Sequence, residues 1–403
     1  MQTLSEVLIA KGEEYAPFDV ARAGRIYEAI APIFDFKECF ETQCTIIHIL
    51  GTNGKGSTGR FITMGLEQQG KSVLHFSSPH IFDFTERYYI SQADFKGEIP
   101  YARLEAAHRA LWACEAVREA SYFEYATFLA LVLGREYEYL VLESGVGGEF
   151  DSTSVVMAHL SVFTLIGLDH QEMLGNSLEE IALTKLRAMG QYAILAKQSY
   201  AEVERIAMEV ANTKGAMCAL WECMDNSVCF QQEREAFKHY VHRHQLPAFL
   251  CENLYTALRA LAFFGMKFDF ATLGRLSLRG RCELLRDNIV LDVGHNIDGA
   301  RALRAFFGKK KVNLVYNAYV QKDIEAILCE LLPIIKKVLI ISVENPRVCP
   351  KQRICEALEA LEITFMDFDM ASMSEDEMYL VFGSFSVVQE FLRQYKEVQC
   401  RIN

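Results

Sequence analysis

The sequence predicts an α/β fold in two domains, each on a mostly parallel sheet. Three observations carry that expectation. From residue 45 onward, short apolar runs rich in β-branched residues alternate with helical stretches, the order that winds a parallel sheet with helical crossovers. The first of these runs passes through a glycine-rich turn into a helix. Near Ser277-Leu278-Arg279-Gly280-Arg281 the strand–helix pattern starts again, which divides the 403 residues into a domain over 1–280 and a smaller one over 281–403.

Residues 1–40 read as a leading helix pair, broken at Lys11-Gly12 and Pro17. Thr45-Ile46-Ile47-His48-Ile49-Leu50 is apolar and β-branched, a buried strand. A turn follows, then a helix over 57–69 closed by Gly70. Residues 72–76 are a short strand before Ser77-Ser78-Pro79-His80, and 81–99 read as irregular. Helical stretches at 101–120 and 123–135 lead to a strand at 139–142 that ends at Glu143. The strand 161–166 ends at Gly167-Leu168-Asp169-His170. Ser177-Leu178-Glu179-Glu180 is a capping box, so a helix starts there and carries Lys185. A strand at 192–196, a helix at 200–212, short strands within 215–235 and a helix at 251–265 complete the first domain. The second reads as strand 288–292, helix from Asp298, strand 312–316, helix 322–332, strand 337–342, helix 350–360, strands 363–368 and 378–382, and helix 386–395. Ligands of open α/β sheets bind outside the carboxyl ends of the strands. Four such ends carry polar or glycine-rich turns, and they are expected to meet in one crevice.

A net charge of −12 argues against general binding to nucleic acid or anionic membranes. The twelve cysteines include no Cys-x-x-Cys pair, which disfavours a zinc site and fits a reduced, cytoplasmic protein. No secretory signal pattern is present, and no uncharged apolar run reaches the ~20 residues of a membrane span.

The turn Gly51-Thr52-Asn53-Gly54-Lys55-Gly56-Ser57 exposes backbone N–H groups at a helix N-terminus, and Lys55 adds a full positive charge. That combination cradles phosphate, and its expected occupant is ATP. The spacing departs from the standard G-x-x-x-x-G-K-[ST] pattern. The first glycine would fall at Ile49, and Gly56 intervenes before Ser57. ATP chemistry needs a divalent cation, and Mg²⁺ takes hard oxygen ligands while keeping several waters. Glu143 at a strand end and the Ser78 hydroxyl are candidates. Taken singly, Ser78 is a turn residue, His170 a hydrogen-bonded structural histidine, and Lys185 a solvated helix lysine. The run Lys238-His239-Tyr240-Val241-His242-Arg243-His244 reads as a basic solvated segment, because no carboxylate or cysteine completes a ligand set there.

As a set these residues resemble the folylpolyglutamate synthase and dihydrofolate synthase family of the wider Mur ligase superfamily. The cradle matches that family's P-loop. Ser78-Pro79-His80 with Phe84-Thr85-Glu86-Arg87 resembles its serine-proline loop and F-N-E-R segment. Leu142-Glu143-Ser144-Gly145-Val146-Gly147-Gly148 resembles L-E-x-G-x-G-G, and Gly167-Leu168-Asp169-His170 matches G-x-D-H. Leu174-Gly175-Asn176-Ser177 through Ile181-Ala182 resembles L-G-x-T-x-x-x-I-A. Gly280-Arg281 and Asp292-Val293-Gly294-His295-Asn296 resemble later blocks, and Asn345-Pro346-Arg347 and Gly383-Ser384 the last ones.

The resemblance implies a P-loop ATP-binding domain and a smaller C-terminal Rossmann-like α/β domain. It implies nucleotide contacts from Thr52, Asn53, Gly54, Lys55, Gly56 and Ser57, and from Asn253, Arg281, Asp292 and His295. Ser78, Glu143 and His170 would hold Mg²⁺, and Lys185 matches a lysine that the family carbamylates. Lys55, His170 and Lys185 are the implied catalytic residues. The implied reaction is ATP-driven amide formation through an acyl phosphate, adding L-glutamate to dihydropteroate, to folate, or to both, with the bifunctional form favoured. Closure of two domains would keep water from that intermediate. A cytoplasmic monomer acting on small molecules is expected. Departures include Thr85 for asparagine, Glu149 for the arginine of G-G-R-L-D-A-T-N, Ser154 for its last asparagine, Arg187 within the K-x-G-I segment, Cys251 for a glutamine and Ile297 for a proline. A cell-wall Mur ligase is the alternative, disfavoured because only about 40 residues precede the first strand. A catalytically reduced nucleotide-binding protein would have lost the metal set, and a simple P-loop kinase would lack the second domain.

Overall fold

The computed structural model of the chain describes residues 2–12, 19–222, 224 and 230–402, the last four of these as backbone alone. Two compact units emerge, one of Met1–Leu246 with Leu250–Leu276, the other of Pro247–Phe249 with Ser277–Asn403.

Unit 1 opens with α1 (Leu4–Lys11), α2 (Arg22–Ile30) and α3 (Phe36–Thr42), three helices where the sequence suggested a pair. Pro17, the second expected break, lies outside the described residues. Then come β1 (Thr45–Leu50), α4 (Lys55–Gln68), β2 (Val73–Phe76), β3 (Tyr88–Gln92), β4 (Phe95–Glu98), α5 (Tyr101–Trp112), α6 (Tyr122–Gly134) and β5 (Tyr139–Glu143). The unit continues with β6 (Leu160–Phe163), α7 (Gln171–Leu174), α8 (Leu178–Leu186), β7 (Tyr192–Leu195), α9 (Ala201–Lys214), β8 (Met217–Ala219), α10 (Arg234–His244) and α11 (Ala248–Phe263). Among the described residues its sheet has eight strands in the order β4-β3-β2-β5-β1-β6-β7-β8. All neighbours from β2 to β8 run parallel, and β3 and β4 add an antiparallel hairpin at one edge.

That hairpin replaces the expected irregular stretch. Glu86 gathers the N–H groups of Ile81, Phe82 and Asp83, which turns the chain into β3. The expected helix 101–120 stops at Trp112 and resumes as a 3₁₀ turn over Glu115–Glu119. The Lys11 ammonium donates to the carbonyls of Val117, Arg118 and Ala120, satisfying groups that the broken helix leaves open. Of the strands expected within 215–235, β8 is present, and residues 223 and 225–229 lie outside the described set. The basic run 238–244 belongs to α10, where Arg243 donates to the carbonyls of Phe270, Ala271 and Leu273. Helix α6 is apolar on every side and buried from Phe123 to Gly134, so it forms the centre of one core layer.

Unit 2 is also α/β, as expected. It contains β9 (Glu283–Arg286), β10 (Ile289–Leu291), α12 (Ile297–Phe307), β11 (Val312–Tyr316), α13 (Ile324–Leu331), β12 (Ile335–Ile340), α14 (Lys351–Ala360), β13 (Phe365–Asp367), β14 (Tyr379–Phe382) and α15 (Phe385–Ile402). The sheet order is β13-β12-β11-β14-β10-β9, parallel except for β9. The sequence hid β9 because it is an edge strand whose side chains are only half-buried.

Candidate active site

Strands β2, β5, β1 and β6 are neighbours in unit 1, and their carboxyl ends carry Ser77-Ser78, Glu143, the glycine turn and Asp169-His170 in that spatial order. The four turns are thus adjacent because the strands are. Register aligns Ile49 with Glu143 and Phe76 with Leu142, so Glu143 and the Ser77-Ser78 turn leave the sheet at one level.

The turn after β1 is shaped by its surroundings. A Cβ on Gly51, at φ +142°, would lie 2.1 Å from the Thr164 hydroxyl, and one on Gly54, at φ +88°, 2.6 Å from the Asn253 amide oxygen. Asn253 on α11 therefore sits directly beside the turn. Thr52 ties the turn to the end of β6: its N–H donates to Leu165 O at 2.8 Å, and its hydroxyl pairs with Gly167 through both O and N–H at 3.1 Å. Left-handed Gly54 lets the chain enter α4 at once, so the helix starts at Lys55, two residues before the expected position. No side chain caps the start of α4, and no acid lies in its first turn. Its leading N–H groups, those of Lys55, Gly56 and Ser57, are thus left for an anion. The Thr58 hydroxyl in the same turn is buried without a protein partner.

Two lysines converge on one carbonyl. Lys55 Nζ and Lys185 Nζ each donate to Gly51 O at 3.2 Å, and Lys55 also reaches Thr52 O at 3.4 Å. Lys185 is not the solvated helix lysine its context suggested, being 3% exposed. Gly148 packs on its backbone, where a Cβ would stand 2.7 Å from Lys185 Cα. Burial, and then the neighbouring Lys55 charge, lower the Lys185 ammonium from 10.5 to about 7, against the opposing pull of Asp169 and Asp151.

Glu143 is 3% exposed, and its Oε2 accepts from the Ser78 N–H at 3.3 Å. His170 takes a left-handed conformation at φ 52°, its N–H donates to Asp169 Oδ1 at 2.9 Å, and its Nδ1 lies 3.7 Å from Glu172. A carboxylate and a hydroxyl at the ends of neighbouring strands, with an imidazole two strands beyond the carboxylate, form a donor set that suits a hard divalent cation still carrying waters. The residues present therefore fit Mg²⁺ together with a nucleotide.

Sequence reasoning missed the device that shapes the loop after Glu143. Asp151 Oδ2 accepts from the N–H groups of Gly145 and Val146, both at 3.0 Å. Its Oδ1 accepts from the Thr153 N–H at 2.9 Å and hydroxyl at 2.6 Å. Since the Thr153 hydroxyl donates to Asp151, it accepts from His48 Nε2 at 2.8 Å, which fixes the neutral tautomer of a histidine that burial lowers to about 3. Burial raises the Asp151 carboxyl above its ordinary range, and the four donors oppose that rise. An acid closing a glycine-rich loop and a lone histidine inside an apolar strand were the available signals.

Arg281, Asp292 and His295 lie in unit 2. Asp292 is buried at the end of β10 and accepts from Gly294 N at 2.7 Å and Cys282 N at 2.9 Å. This draws the Arg281-Cys282 corner against the end of β10, with the Arg281 guanidinium 4.9 Å from the Phe385 ring centre. His295 Nδ1 lies 3.0 Å from Val293 O, and Asn296 caps α12 through Gly299 N.

No family model matches the chain. It is similar to the crystal structure of Helicobacter pylori folylpolyglutamate synthetase, with 40% identity, 98% of each chain covered and a TM-score of 0.75. The chain belongs to the folylpolyglutamate synthase and dihydrofolate synthase family. A curated relative, dihydrofolate synthase/folylpolyglutamate synthase of Bacillus subtilis, is 25% identical over 400 residues, covering 88% of this chain and 91% of the relative. The fold is shared with E. coli FolC in complex with DHPP and ADP, at 22% identity, 99% coverage of both chains and a TM-score of 0.82. Against this family's G-G-R-L-D-A-T-N pattern, Glu149 faces Arg187 at 3.4 Å.

Proposed function

We propose that this ATP-dependent ligase adds L-glutamate both to dihydropteroate and to folate. The observation that carries the proposal is the uncapped start of α4 beside Lys55 and Lys185, with Glu143 at the end of the neighbouring strand and Ser78 one strand further. A carboxylate oxygen of the pterin substrate attacks the γ-phosphorus of ATP, the bond to ADP breaks, and an acyl phosphate forms. The glutamate amine then attacks the acyl carbon, and the bond to phosphate breaks. Such transfers rest on positioning and charge stabilisation. The N–H groups of Lys55, Gly56 and Ser57 hold the nucleotide phosphates, and the Lys55 ammonium balances negative charge on the phosphoryl group in flight. Thr52, Asn53 and Asn253 line the same turn, and Arg281, Asp292 and His295 are the nucleotide-contacting residues that the family resemblance implies for unit 2. Ser78, Glu143 and His170 would hold Mg²⁺, which neutralises phosphate charge when bound.

Lys185, lowered to about 7, has a large neutral fraction at physiological pH. Its amine adds to CO₂ to give a carbamate and a proton, turning a cation into an anion beside the cradle. We propose a monomer acting in the cytoplasm on small molecules; no helix among the described residues is long and apolar enough to cross a membrane.

The test incubates the protein with ATP, magnesium and glutamate, and adds dihydropteroate, tetrahydrofolate or a UDP-muramyl precursor separately. ADP release is expected with each pterin and not with the muramyl precursor. Release with one pterin alone removes the second activity, and release that depends on neither pterin overturns the proposal.

A further inference from the structure

Arg60 lies on α4, five residues beyond Lys55, and is 4% exposed. Its guanidinium carbon stands 3.7 Å from the centre of the Tyr89 ring on β3, and its Nε donates to His75 Nδ1 on β2 at 3.2 Å. His75 is fully buried, and its Nε2 has no partner. It presses on α4 so closely that a Cβ on Gly59 would come within 2.5 Å of Nε2.

Strand register places this contact. His75 is aligned with Tyr89 on one side and Val141 on the other. Side chains alternate along a strand, so the next positions on that face are Ser77 on β2 and Glu143 on β5. Arg60 therefore grips the sheet one row below the edge that carries Ser78 and Glu143, while its own helix begins with the phosphate cradle. The charges around it are carboxylates: Glu67, itself paired with Lys96, Glu98 and Glu143.

A guanidinium buried to this degree costs several kcal/mol in lost hydration, and an apolar side chain would fill the seam without that cost. The unsatisfied His75 Nε2 adds a further cost of about 1–3 kcal/mol. Stability does not account for either group.

We propose that Arg60 is a positioning residue. Clamped on Tyr89 and His75, it fixes the distance from the cradle at the start of α4 to the Ser78–Glu143 edge, so that one divalent cation reaches both that edge and a nucleotide in the cradle. The inference rests on the nucleotide and metal reading given above.

The experiment measures ADP affinity calorimetrically, in magnesium and in EDTA, for the wild type, Arg60→Met, Arg60→Lys and His75→Phe. Urea unfolding, followed by tryptophan fluorescence, accompanies each. The wild type is expected to bind ADP more tightly in magnesium. Arg60→Met is expected to keep its unfolding midpoint and its affinity in EDTA, and to lose the magnesium enhancement by about ten- to a hundredfold, the penalty of an ångström-scale misplacement. Arg60→Lys, which keeps the charge without the planar fork, is expected to recover part of it. If Arg60→Met does not fold, Arg60→Lys and His75→Phe carry the same test. An undiminished magnesium enhancement in the variants overturns the inference. So does an equal loss of affinity in magnesium and EDTA with a lowered midpoint, the signature of a purely structural role. A wild type without any magnesium enhancement instead overturns the functional reading on which the inference stands.

Discussion

Replacing Lys185 by methionine should stabilise unit 1 at pH 7, and the gain should shrink as pH rises. The ammonium titrates at 10.5 in an unfolded chain and at about 7 in this fold. Between those values the unfolded state binds the extra proton, so the cost of burying the lysine grows as pH falls. At 1.36 kcal/mol per pH unit, the cost at pH 7 is about 4 kcal/mol, and at pH 9.5 about 1.5 kcal/mol. Methionine has no proton to lose and nearly the same length, and replacing a buried charge by an apolar group of similar volume is often stabilising. Urea unfolding at the two pH values, in buffers stripped of CO₂, measures the difference. The only two tryptophans, Trp112 and Trp221, both lie in unit 1, so their fluorescence isolates its transition. The advantage of Lys185→Met over wild type should fall by about 3 kcal/mol between pH 7 and 9.5. A difference that does not change with pH would refute the reasoning, because the lysine would then be charged in the fold. Adding bicarbonate at pH 7 should raise the wild-type midpoint alone.

Lys55→Ala and Glu143→Ala should each abolish ADP release while far-UV circular dichroism stays native; activity retained in either removes that residue from the mechanism. Gly51→Ala places a Cβ 2.1 Å from the Thr164 hydroxyl in a strained backbone region, and should cost unit 1 at least about 2 kcal/mol in urea unfolding. Thr153→Val leaves the His48 Nε2 proton without its acceptor and removes one of the two donors to Asp151 Oδ1, and should lower stability by about 1–3 kcal/mol, read in the same unfolding assay.

The chain's α/β character and most of its strands were legible because β-branched runs ending in glycine or acid residues are local signals. The cradle was legible for the same reason: Gly51, Gly54 and Lys55 stand together. Lys185 was legible as a residue but not as an environment, since the Gly148 loop that roofs it lies 37 positions earlier in the chain. The hairpin of β3 and β4 was hidden because its turn-in depends on one carboxylate, Glu86, collecting three N–H groups. His48, Arg60 and His75 announce themselves only as polar residues in apolar company. What faces each of them comes from another strand or loop, and no spacing rule reports it.

The Asp151 knot has a consequence for how this site can change over time. Four donors converge on the Asp151 carboxylate and the Ser154 hydroxyl donates to Gly148 O at 2.6 Å, so the path of the loop after Glu143 is held mainly by inward-facing side chains and the backbone around them. Residues on the loop's outer surface, half-exposed Phe150 and Glu149 with its exposed ion pair to Arg187 among them, make none of those inward contacts. They are at liberty to mutate while Glu143 keeps its place. A lineage can therefore alter the outer surface of this loop without moving Glu143 or the Asp151 contacts behind it.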